Sequence, residues 1–201
     1  MRRVEFWYEF ASTYSYPAAA RIEELADTHG VTISWQPFLL GPILKQLGWS
    51  TSPFNLQHAK GRYMWHDVAR TCQLMGLPPL KRPVPFPQNS LLAARVALAP
   101  PDDSRRAQFS RSVFCAEFAE ASNIDDPNVI AGILDRLGIP SADLLERAGG
   151  SETKDLLRAQ VARAEKLGIF GAPTFVTSDE ELFWGNDRLE GAVRWETNNC
   201  K

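Results

Sequence analysis

Cysteine is scarce in this chain and badly spaced for cross-linking. Cys72, Cys115 and Cys200 are the only three, and no two lie close together. An odd count at wide spacing excludes a disulfide framework and points to a reducing compartment. Cys72 and Cys115 fall on helical patterns and read as small buried hydrophobes. Cys200 stands beside the terminus, where the chain is expected to be mobile. Histidine is equally rare: His29, His58 and His66 do not cluster with cysteines or carboxylates at ligand spacing, so no metal site is expected. No apolar run approaches the roughly 18 residues of a membrane span. The N-terminus opens on two arginines but runs into Glu5 and Glu9, without the apolar core and cleavage site of a signal peptide. A cytoplasmic protein is the expectation. Excess positive charge is missing as well. The 22 Lys and Arg against 24 Asp and Glu leave a net charge of −2, with no basic stripe interleaved with aromatics, which argues against nucleic acid as a partner.

What is present, in 201 residues, suits one domain or one domain with a large insertion. The chain is organised around residues 4–22, VEFWYEFASTYSYPAAARI. Residues 4–10 are aromatic and β-branched enough for a strand. Tyr16, Ala19, Ile22, Leu25 and Ala26 then recur at the spacing of one helix face. Ser15 reads as the N-cap of that helix, with Pro17 in its first turn. Ser12 therefore precedes a helix N-terminus, a place of free N–H groups and positive dipole that favours an anion. On this stretch alone, both serines read as ordinary turn and cap residues.

Gly30 ends the helix and residues 31–38 alternate like a second strand, so 4–38 is a β-α-β unit with parallel strands. Residues 39–54 are loop-like, with one helical turn around Lys45. A helix is expected over 55–74. Residues 78–87 hold five prolines, which excludes regular helix or central strand and suggests a lid or wall. Helical patterns occupy 90–98, 104–121, 128–137, 141–148 and 152–167, with Asp126-Pro127 and Pro140-Ser141 as start signals. Residues 172–177 and 182–184 then form a hairpin, and Asn186 or Asp187 caps a last helix. The order βαβ, helices, ββα is that of an α/β chain with a thioredoxin-like fold and a large all-helical insertion. The expected boundaries are 1–38 and 168–201 for the thioredoxin-like part and 39–167 for the helical part. In that fold Pro173 precedes the third strand, faces the start of the first helix and is expected to be cis.

Four segments carry a resemblance: FWYEFASTYSY at 6–16, Lys45 with Asn55, IFGAPTF at 169–175 and FWGNDRLE at 183–190. Together they resemble the 2-hydroxychromene-2-carboxylate isomerases, near the kappa-class glutathione transferases of the DsbA-like thioredoxin superfamily. The resemblance covers nearly the whole chain. It implies that Ser12 and Ser15 stand where a redox C-x-x-C would, so dithiol exchange is excluded at this site. It implies glutathione as cofactor, with Ser12 donating to its sulfur as the catalytic group. Ala172 and Pro173 would pair with its cysteinyl part, and Trp184, Gly185, Asn186 and Asp187 would hold its γ-glutamyl end. Lys45, Asn55 and Phe86 are the implied substrate contacts, with Trp7, Tyr14 and Trp49 adding aromatic wall. The chain departs from the family at Thr13, where a proline is usual, and at Leu56, where an arginine is usual. The expected activity is glutathione-dependent isomerisation of a small aromatic acid in a homodimer. A kappa-like transferase and a noncatalytic peptide-binding protein stand as alternatives.

Overall fold

The computed structural model describes residues 2–99 and 102–199, so the expectation for Cys200 lies outside the described residues. Its centre is β1 (Arg3–Tyr8), paired in parallel with β2 (Thr32–Pro37) and antiparallel with β3 (Thr174–Val176). β4 (Leu182–Trp184) lies antiparallel to β3, giving the strand order β2-β1-β3-β4. The crossover between β1 and β2 is α1 (Ser15–His29), which ends on Gly30 at φ +64°, a conformation that favours glycine.

Between β2 and β3 come α2 (Leu40–Gln46), α3 (Pro53–Leu56), α4 (His58–Leu74), α5 (Leu91–Leu98) and α6 (Asp103–Phe118), then α7 (Pro127–Arg136), α8 (Ser141–Gly149) and α9 (Ser151–Lys166). A short 3-10 turn, Asn186–Arg188, leads from β4 into α10 (Leu189–Asn199). Asp102 and Asp126 cap α6 and α7 by accepting the N–H of Arg105 and of Asn128, each at 2.8 Å.

β1 is covered on both faces and is therefore apolar on both. Val4, Phe6 and Tyr8 enter the main core, where Phe6 lies 5.0 Å from Trp35 and 5.5 Å from Phe175, ring centre to ring centre. Full burial of one such aromatic contributes about 1.5–3 kcal/mol. The Tyr8 hydroxyl shares a 2.6 Å hydrogen bond with Ser110 of α6 inside that core. Trp7 points the other way, against Phe38, Ile43, Ala164 and Ile169. Glu5 shares that second face; it accepts from Trp7 Nε1 at 3.0 Å and from Arg163 of α9 at 2.6 and 2.8 Å.

Several expected boundaries move for local reasons. The strand stops at Tyr8 because the Glu9 carbonyl turns to accept the Ser12 N–H. Ser15 is the first residue of α1 and not its cap: Tyr14 precedes it with helical angles, and the Ser15 hydroxyl is buried with no partner among the described residues. The turn closed by the Ser15 N–H on the Ser12 carbonyl leaves no extended residue to cap the helix. The helix expected over 55–74 is broken at Gln57 into α3 and α4. Ser52 caps α3, and a Cβ on Gly61 would stand 2.3 Å from the Phe54 carbonyl oxygen, so only glycine lets α4 pass so close. Neither Asn186 nor Asp187 caps α10 with its side chain; the 3-10 turn feeds the helix directly.

Candidate active site

A cavity of about 1340 Å³ opens where β1 gives way to α1. Its walls come from four distant stretches: residues 9–14, 39–54, 86–91 and 170–187, with part of α4. At one end the Ser12 hydroxyl donates to the Ala172 carbonyl at 2.9 Å. The Ala172–Pro173 peptide bond is cis. The Pro173 carbonyl in turn accepts the Gly185 N–H at 2.9 Å, which joins this loop to the end of β4. Ser12, Ala172, Pro173 and Gly185 are thus one connected group, joined across 160 positions of the chain.

The rest of that end is built by close approach. A Cβ on Gly171 would lie 2.3 Å from Trp184 Nε1, and the Trp184 indole packs edge-on against Phe170 at 4.9 Å. Gly185 adopts φ +111°, and its missing side chain leaves room for Asp187 Oδ1, which would meet a Cβ at 2.7 Å. The Asp187 carboxylate is largely exposed at this rim. Asn186 is buried and already engaged: its carbonyl and Oδ1 accept from Arg21 Nη2 at 2.6 and 3.1 Å. Asn186 therefore shapes the turn, while Asp187 is the group that faces outward.

At the other end Lys45 of α2 and Lys60 of α4 are the cationic side chains of the wall. Tyr14, Trp49, Phe54 and Phe86 supply its aromatic surface. Two residues expected here are not brought to it. Trp7 is fully buried on the far face of β1, because neighbouring strand residues point to opposite sides. Asn55 is not among the lining residues; its amide points to Thr51 Oγ1 at 3.3 Å and to the Phe86 carbonyl at 3.4 Å.

Sequence reasoning missed two features of this wall. The Tyr14 hydroxyl donates to Asp67 Oδ2 at 3.0 Å, and Tyr63 and Arg70 both reach Asp67 Oδ1 at 3.3 Å. Burial, then the Asp67 carboxylate, hold the Tyr14 phenol well above its ordinary value, so it stays a neutral donor. The second feature is Glu9, which lines the cavity yet is 7 % exposed. One carboxylate oxygen accepts the Leu40 N–H at 2.9 Å; the other accepts the Ser90 hydroxyl and, at 3.4 Å, the Ala11 N–H. Burial raises its carboxyl above the usual range, against those hydrogen bonds. Glu117 of α6 is wholly buried, with no partner on either oxygen among the described residues. Burial and then the charge of Glu9 hold Glu117 well above the ordinary carboxyl value. The sequence signal was there: Glu117 sits between Phe114 and Phe118 in an apolar run, and Glu9 interrupts an aromatic strand.

Among the described residues no group of three His, Cys, Asp or Glu side chains is placed to hold a metal, and no helix is long and apolar enough to cross a membrane. The arrangement offers a hydroxyl donor at a helix start, an adjacent peptide edge, a carboxylate at one rim and cations at the other.

The fold and this connected serine–proline group define the class: the chain belongs to the DSBA-like thioredoxin domain family, whose model matches residues 3–194. Within it, a 2-hydroxychromene-2-carboxylate isomerase of Pseudomonas putida is 27% identical over 190 residues, spanning 92% of this chain and 90% of the relative. Glutathione S-transferase kappa 1 of Caenorhabditis elegans is 23% identical over 199 residues, spanning 93% of this chain and 87% of the relative. The solved structure of a 2-hydroxychromene-2-carboxylate isomerase shares the fold over 99% of both chains, with a TM-score of 0.86 and 24% identity.

Proposed function

We propose that this protein is a glutathione-dependent isomerase acting on a small conjugated aromatic acid of the 2-hydroxychromene-2-carboxylate type. The observation that carries the reading is the Ser12 hydroxyl, held at the mouth of α1 and directed at the Ala172 carbonyl within the cavity. The residues fit a γ-glutamyl tripeptide. Ala172 offers a peptide edge to an extended chain, Asp187 offers an exposed carboxylate to an α-ammonium, and Trp184 walls the space between them.

When bound, glutathione supplies a thiolate, a nucleophile whose reversible addition to a conjugated carbon makes a double bond free to rotate. The chain does the rest. Ser12 exchanges a neutral hydrogen bond to Ala172 for one to a sulfur anion, and charge-assisted bonds are roughly twice as strong. The N-terminus of α1 adds its positive dipole. A thiol of pKa about 8.5–9 needs only one or two units of depression to ionise at neutral pH. Lys45 and Lys60 attract the carboxylate of the substrate, and Tyr14, Trp49 and Phe86 face its flat ring. Free Cys72 and Cys115 fit a cytoplasmic setting, and a homodimer is the oligomer the reading carries with it.

The test is Ser12→Ala. Isomerase turnover should fall by about 10²-fold, as for loss of one donor to a developing anion, while glutathione still binds by calorimetry and the melting temperature holds. Turnover untouched by the change would refute the role of Ser12. One observation favours a second reading, a kappa-like transferase: Asn55 is turned away from the cavity, which leaves the substrate end less defined. A chlorodinitrobenzene assay run beside the chromene assay separates the two. Failure of the wild type to bind glutathione would leave the noncatalytic peptide-binding alternative.

A further inference from the structure

Glu9 and Glu117 have no part in the reading above, yet each buries a carboxyl group. Both are buried, and Glu9 lies on the cavity wall. Their surroundings differ sharply. Glu9 receives three donors, from Leu40, Ser90 and Ala11, each on a different wall segment. Glu117 receives none among the described residues. α6, which carries Glu117, packs on the strand end that carries Glu9, with the Phe10 and Phe114 rings 5.2 Å apart, and two carboxylates brought into one dry setting do not both ionise. Donors favour the charged form, so the anion belongs on Glu9 and the proton on Glu117.

The other titratable groups of the cavity are committed elsewhere. Asp67 is held by Tyr14, Tyr63 and Arg70, and Tyr14 stays protonated. Asp187 is at the exposed rim. Lys45 and Lys60 line the opposite end, from α2 and α4. Glu9 is therefore the buried base hydrogen-bonded into the serine turn: its own carbonyl accepts the Ser12 N–H, and its carboxylate accepts the Ala11 N–H.

We propose that Glu9 is the proton-transfer residue of this cavity, taking the proton of the sulfhydryl brought to Ser12 and returning it to the substrate oxygen that gains charge. This rests on the glutathione reading and adds to it. In the first transfer the S–H bond breaks, its electron pair stays on sulfur, and an O–H bond forms at a Glu9 carboxylate oxygen. The buried wall then carries a single negative charge before and after: first on Glu9, then on sulfur facing Ser12 and the start of α1. A thiolate beside an ionised Glu9 would place two like charges in one dry space. Glu117 acts as a positioning residue. By remaining a neutral acid it lets Glu9 hold the one charge.

The experiment counts protons. Glutathione binding is measured by calorimetry at neutral pH in buffers of different ionisation enthalpy, for wild type and Glu9→Gln. The expected result is almost no net proton release by wild type and about one proton released per glutathione by Glu9→Gln, with affinity kept within about threefold. Turnover of Glu9→Gln should fall by about 10²-fold, the usual worth of a positioned acid–base group, and the acidic limb of its pH–rate profile should vanish. Equal proton release by the two proteins overturns the proposal. Absence of glutathione binding by wild type overturns the function reading together with it, whereas binding with an unchanged proton count overturns this proposal alone. For Glu117, the ligand-free protein at neutral pH should show the infrared carbonyl band of a protonated carboxyl that Glu117→Gln removes and Glu9→Gln does not. A band that persists in Glu117→Gln places the proton elsewhere and overturns the pairing.

Discussion

Gly171→Ala tests how closely the proline loop and β4 must approach. The new methyl group would stand 2.3 Å from Trp184 Nε1, 2.9 Å from Cε2 and 3.1 Å from Cδ1. Ordinary contact begins near 3.4 Å, so the indole has to retreat by about 1 Å or more. It has somewhere to go, since Trp184 is 53 % exposed. Its edge-on contact with Phe170 is lost, at about 0.5–1.5 kcal/mol. Gly171 does not sit at positive φ, so alanine restricts the unfolded chain and returns about 0.4–1 kcal/mol. These terms nearly cancel, and the melting temperature should move by no more than about 4 °C. Binding responds more strongly, because the displaced indole forms the cavity wall between Ala172 and Asp187. A loss of about 1.4 kcal/mol there is a tenfold rise in the glutathione Kd. Calorimetry on Gly171→Ala, Trp184→Ala and the double variant reads this out. In the Trp184→Ala background the three closest contacts of the methyl are gone, so the second change should add little further loss. Strictly additive effects, or an unchanged Kd for Gly171→Ala, would refute the argument.

Two further outcomes concern the interior. Glu9 and Glu117 are both held above the ordinary carboxyl value, so the folded chain binds more protons than the unfolded one from about pH 4.5 up through the raised folded values. Their contribution to stability is complete below that window and is lost as pH rises through it; urea unfolding should show Glu117→Gln flattening this fall and exceeding wild type at alkaline pH. The Tyr8–Ser110 pair predicts strong coupling: Tyr8→Phe or Ser110→Ala alone strands a buried hydroxyl at about 1–3 kcal/mol, whereas the double variant should be nearly neutral. Equal and additive losses in urea unfolding would contradict a shared hydrogen bond.

The architecture was legible because its signals are local. An aromatic strand, a helix face closed by Gly30, an alternating second strand and a late hairpin identify the fold by their order alone. Ser12 and Pro173 followed from that order, since their meeting is a property of the fold. Side-chain direction was harder. Trp7 was expected in the cavity wall, although strand parity puts it opposite Phe6 and Tyr8. Asn55 was expected to face substrate, but the break at Gln57, set by the Phe54–Gly61 approach, turns it toward Phe86. Glu9 and Glu117 carry no signature of one another: α6 packs on the strand end that carries Glu9, through Tyr8–Ser110 and Phe10–Phe114, and no spacing in the chain records that packing.

The placement of β1 also bears on how the chain leaves the ribosome. Its first neighbour, β2, is synthesised about 30 residues later, but the register that closes its other side joins Phe6 to Phe175. Through most of translation this strand exposes a bare apolar edge, the feature that invites pairing with foreign strands. A nascent chain halted before residue 174 should therefore aggregate or recruit a chaperone, and release of that dependence on extending synthesis past the hairpin would mark the moment the sheet is complete.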